Sequence, residues 1–175
     1  MALKPYWAAM FVAFSLTLSP VHGQDTSDMS ADELIAEAET MHPAGFYQLA
    51  SQLFAAGDYD EAIRWFYIGQ LRYRFDLVAR DAGPADTDQQ LFSALSESVG
   101  RPINEYAFGD IKKLVRLMGE ALAWDEAHPN GYTSKTKYAV ALATVRAGLV
   151  QLRATTIEQR DYIREQREQN GLENR

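Results

Sequence analysis

The chain has 175 residues, no cysteine, and 24 acidic against 17 basic side chains, for a formal net charge of −7. The lack of thiols excludes disulfides, a cysteine nucleophile, thiolate metal sites and a lipidated cysteine. The negative balance makes nucleic acid and anionic membrane surfaces poor partners.

Residues 1–23 read as a secretory signal peptide. Lys4 is followed by a mostly apolar stretch from Pro5 to Leu18, then by Ser19-Pro20-Val21-His22-Gly23, with small residues at the cleavage positions. The stretch falls short of the ~20 apolar residues of a membrane span and contains Ser and Pro. Cleavage near Gly23 makes the expected location periplasmic or secreted, with no stable membrane anchor. Residues 24–29 are expected to be a flexible mature N-terminus, 30–170 an all-α domain, and 171–175 a flexible tail.

Strand signals are scarce, and apolar residues recur three and four apart. Ser30 followed by Glu33 forms a capping box for a first helix, which carries Leu34, Ile35, Ala38 and Met41 and stops at His42-Pro43. A second helix, about 43–56, sets Phe46, Leu49, Ala50, Leu53 and Phe54 on one face. Gly57 suits a left-handed C-terminal position, and Asp58 with Glu61 suits the next cap. The third helix, about 59–80, is apolar nearly all round and is therefore expected to be the covered, central one.

Asp81 to Asp88 reads as a loop around Gly83-Pro84. A fourth helix spans about 87–99 and ends at Gly100-Arg101-Pro102. Ile103 to Gly109 reads as a polar and aromatic connection, and Asp110 caps a fifth helix that stops at His128-Pro129-Asn130-Gly131. A long last helix starts at Thr133 or Ser134. Its Tyr138, Leu142, Val145, Leu149, Leu152, Thr156, Gln159 and Ile163 alternate by four and three, a seam for antiparallel packing, and Gly171 can terminate it.

Phe46 to Gly69 resembles one tetratricopeptide-type unit, of the kind also seen in Sel1-like repeats. Phe46, Leu49 and Ala50 match its large, large and small positions, Leu53-Phe54 its paired bulky residues, and Gly57-Asp58-Tyr59 its turn. Ala62, Phe66 and Gly69 match the small, aromatic and small positions of its second helix. The third helix runs past the point where such a unit stops, and no second copy follows. The resemblance implies protein or peptide binding on a helical surface. The expected fold is thus a single all-α domain of about six helices, built around one tetratricopeptide-like helix pair with a long central helix and a long C-terminal helix.

Arg64, Trp65, Tyr67, Arg72 and Arg74 interleave guanidinium groups with aromatic rings on the third helix. Such residues are frequent at binding hot spots, so they are the candidate partner-binding set. The structural alternative ties Arg72 and Arg74 to Glu105 or Asp110 through buried ion pairs. His42 and His128, each beside a proline, make a poor metal set, and His128 suits a helix C-terminus. No metal or cofactor is expected. Neither a phosphate loop, a nucleophile elbow nor a HExxH pair is present, so no catalytic residue is assigned. The expected function is that of an exported protein-binding module, as an immunity-type or envelope scaffold protein. The rivals are an envelope hydrolase with paired carboxylates and a homo-oligomer joined through the C-terminal helix.

Overall fold

A computed structural model describes residues 28–175, which are all-helical with no strand among them; the signal-peptide reading of residues 1–23 lies outside this range. Helix α1 (Ala31–Ala36) opens with the expected reciprocal cap, Ser30 accepting from the Glu33 N–H while the Glu33 carboxylate accepts from the Ser30 N–H. It ends earlier than the apolar pattern suggests. The carbonyls of Ala38 and Glu39 are turned away from a continuing helix, to accept from Arg72 at 2.9 Å and from the Gly131 N–H at 2.7 Å. Helices α2 (Ala44–Ala55) and α3 (Tyr59–Ala79) form an antiparallel pair around Gly57, which has φ +83° as the turn requires. Asp58 is the N-cap of α3 but makes no side-chain cap bond, and the Glu61 carboxylate, expected to reach back to it, pairs with Arg64 instead.

Helix α3 is the spine. Ala62, Phe66, Ile68, Tyr73 and Phe75 are fully buried, and α2 and helices later in the chain pack around them. Close approach to α2 depends on Gly69, where a Cβ would lie 2.6 Å from the Phe46 Cβ.

Asp86 caps α4 (Thr87–Leu95), accepting from the N–H groups of Asp88 and Gln89. The expected stop at Gly100-Arg101-Pro102 and the irregular connection after it are not found. A π-helical turn, Ser96–Gly100, passes directly into α5 (Arg101–Ala107). Pro102 sits in the first turn of α5, where its missing N–H is tolerated. The wider turn before it sets Gly100 against the Phe66 ring, where a Cβ would lie 2.9 Å from the ring's Cζ.

Asp110 caps α6 (Ile111–Ala127), accepting from the Lys113 N–H. The last helix is two helices, α7 (Ala139–Glu158) and α8 (Arg160–Gln169). It begins late because the Thr133 hydroxyl donates to Asp76 and Lys135 donates to the carbonyls of Asp125 and His128, holding that segment against α3 and α6. It bends at Gln159, just after Thr156 donates to the Leu152 carbonyl, a bond that bends helices. Arg167 then ties α8 to the carbonyls of Glu105 and Glu173. The tail at 171–175 is not free: the Arg175 N–H donates to the Gly109 carbonyl, and Asn174 donates to the Arg164 carbonyl. Among the described residues no helix is long and apolar enough to cross a membrane.

Candidate functional site

The five residues proposed from the sequence fall on different sides of α3. Arg64 is half-buried, paired with Glu61 and 5.3 Å from the Trp65 ring centroid. Trp65 is buried, stacked on Phe46 at 6.0 Å and edge-on to Trp124 at 5.2 Å. Tyr67 is buried on the side facing α5; its hydroxyl donates to Asn104 at 2.9 Å, and burial pushes its pKa up. These two aromatic rings are core, and a partner cannot reach them.

Arg72 is also core, with a different partner from those expected. Its side chain is 2% exposed and faces Asp125, 1% exposed, at 3.3 Å. It also donates to the carbonyls of Ala38 and Pro129, and its guanidinium lies 4.7 Å from the Trp124 ring centroid. Burial lowers its pKa while Asp125 acts in the opposite direction. Asp125 further faces Arg146 at 2.9 Å and Lys135 at 3.5 Å. This knot joins α3, α6, α7 and the 128–135 segment, and its three cations all face the one buried carboxylate of Asp125, which marks it as structural.

Other carboxylates are similarly engaged. Asp76, Asp86 and Asp88 converge on Arg80, at 2.7, 3.0 and 3.0 Å. The His128 Nδ1–H donates to the Trp124 carbonyl at 2.8 Å, and the imidazole stacks on the Trp124 ring at 4.2 Å, at the end of α6. His42 lies 3.4 Å from Asp88 and edge-on to Tyr73 and Tyr132. Among the described residues no three His, Asp or Glu groups are arranged to hold a metal.

Arg74 is the member of the set that meets a concave surface. A groove of about 580 Å³ runs between α3, α4 and α7. Its floor is apolar, from Leu71, Leu77, Val145 and Leu149, and Phe92 forms the α4 wall. Gln70, Gln89 and Thr144 supply neutral hydrogen-bonding groups, and Arg74 supplies the cation, its guanidinium 5.4 Å from the Phe92 centroid. At Gly148 the wall is open, with no atom within 4 Å of where a Cβ would stand. An apolar floor with a few polar groups at its edge is the usual form of a ligand or peptide site. None of Gln70, Phe92, Thr144 and Gly148 is assigned to a binding site from the sequence. These become neighbours through α4 and α7 packing, which leaves no local spacing to read.

No family model matches this chain, and no solved structure matches it. It is similar to an uncharacterized protein of Haemophilus influenzae, 36% identical over 87 residues, which make up 50% of this chain and 34% of that protein. The matched region thus spans about a third of that relative's length.

Proposed function

We propose that this chain is an exported helical module that binds another protein in the groove between α3, α4 and α7. It acts by docking or occluding that partner, as an immunity-type or envelope scaffold protein does. The observation that carries the reading is the groove itself: an apolar floor beside the Arg74 guanidinium, which is presented on an aromatic wall. Arginine over an aromatic ring is well suited to capture a carboxylate at the edge of an apolar contact. The resemblance of Phe46–Gly69 to a tetratricopeptide-type unit favours a binding role, and the signal-like residues 1–23 favour export.

Two substitutions test the groove without touching the core. Arg74→Glu reverses its charge, and Gly148→Leu extends a side chain into its open wall. Each is expected to reduce quantitative recovery of the native-envelope partner by about tenfold or more. Recovery of the same partner at wild-type yield with both variants would remove the groove from consideration.

A further inference from the structure

A second concavity, of about 540 Å³, lies where the start of α6 faces the junction of α7 and α8. Lys112 from α6, Arg160 and Arg164 from α8, and Arg175 line it, with Ile111 and Ile157 supplying apolar surface. Both carboxylates in it are engaged. Asp110 caps α6 by accepting from the Lys113 N–H, and Asp161 faces Arg160 at 3.3 Å. Four cations against two carboxylates leave an excess of two positive charges, in a chain whose formal net charge is −7.

No other carboxylate side chain among the described residues pairs with these four cations. The adjacent Lys113 and Arg116 are drawn instead onto Asp60, at 3.0 and 3.4 Å. Among the described residues the Lys112 ammonium and the Arg164 guanidinium have neither a hydrogen bond nor an ion pair, and both are exposed. The placement also runs against the helix field. Lys112 stands in the first turn of α6, which holds no acid, and Arg160 opens α8. Cations there are repelled by the positive N-terminal ends of the two helices. Breaking that rule twice at one cavity fits a place that a ligand completes. Arg175 is already positioned for one. Its guanidinium lies 3.8 Å from the Tyr106 ring centroid and donates to the Tyr106 carbonyl. It rests on Gly109, where a Cβ would stand 3.1 Å from the Arg175 Cζ and crowd it.

We propose that this pocket binds a small phosphate monoester with an apolar body. Such a monoester carries about −1.5 to −2 charge at pH 7, which matches the excess, and its acceptor oxygens suit the donors of Lys112, Arg164 and Arg175. A carboxylate, with one charge, would be satisfied by a single guanidinium fork. The volume is that of a small-ligand site and exceeds what a phosphoryl group fills, which leaves Ile111 and Ile157 to cover the rest of the ligand. The pocket shares no lining residue with the groove, and the inference does not depend on the groove reading.

The test is titration calorimetry of the full chain in ~0.15 M salt, which screens non-specific attraction. Phenyl phosphate is the probe, and inorganic phosphate and benzoate are the comparisons. Phenyl phosphate is expected to saturate one site, about tenfold or more tighter than inorganic phosphate, which lacks the ring, and than benzoate, which lacks the second charge. Lys112→Gln and Arg164→Gln, at exposed positions without partners, should each weaken it by about tenfold. Lys112→Gln should do so without lowering the thermal midpoint, because it removes a cation from the start of α6. Arg74→Glu should leave the affinity unchanged. Phenyl phosphate binding no tighter than inorganic phosphate, or binding unaltered in both glutamine variants, would overturn the proposal. So would retention on phosphatidylglycerol vesicles without binding of phenyl phosphate, which would make the cations a lipid-headgroup surface.

Discussion

Asp125 illustrates what a buried carboxylate does when three cations face it. Arg72, Lys135 and Arg146 are drawn from three parts of the chain, and removal of the one anion leaves them mutually repulsive in a poorly solvated place. Asp125→Ala should lower stability by about 3–5 kcal/mol, seen as a reduced denaturant midpoint at unchanged slope. An effect below ~1 kcal/mol would mean that water reaches the knot. Trp65→Ala should cost a similar ~3–5 kcal/mol, by opening a cavity between Phe46 and Trp124. Loss of binding in that variant would therefore report unfolding, which is why the groove is tested elsewhere. Asp86 supplies a pH dependence. The Arg80 hydrogen bond, then the Gln89 N–H, holds its carboxyl below the ordinary value of 3.8. A depressed folded pKa stabilises above the unfolded value, and that contribution is lost as pH falls through the lowered one. The start of α4 should thus begin to fray only below about pH 3.8, and Asp86→Asn should remove this acid step from amide exchange at Asp88 and Gln89.

Among the elements, α3 is the one whose surroundings decide its sequence. Gly69 allows α2 to lie close, and Gly69→Ala would force its Cβ onto Phe46, costing about 1–3 kcal/mol. A thermal melt unchanged by that substitution would contradict the packing described. Gly148→Ala has the opposite sign: with open space around the new methyl, it should stabilise α7 by roughly 0.5–1 kcal/mol. Such local features were legible in the sequence. The Ser30–Glu33 box, Gly57 and the Asp110 cap each depend on residues within three positions of one another. The π turn before α5 was not legible, because it answers to Phe66, far away in the chain. Arg72 was placed in the partner-binding set, with a buried ion pair to Glu105 or Asp110 as the alternative; its partner Asp125 was not legible, since it lies 53 positions away.

At the scale of the molecule, the spine helix is covered except where the groove opens along Arg74 and Val78, while α7 is apolar on two faces and covered on one. The concave surface that results, the groove beside Arg74, is assigned to a protein partner. The most direct test of the groove is a photoreactive residue placed at Thr144, in the groove, and in parallel at Lys112, on the exposed side of α6. In the native envelope, Thr144 is expected to yield a discrete covalent adduct with another protein, which Gly148→Leu abolishes, while Lys112 yields none. An adduct from Lys112 but not from Thr144, or one from Thr144 that persists with Gly148→Leu, would contradict the account.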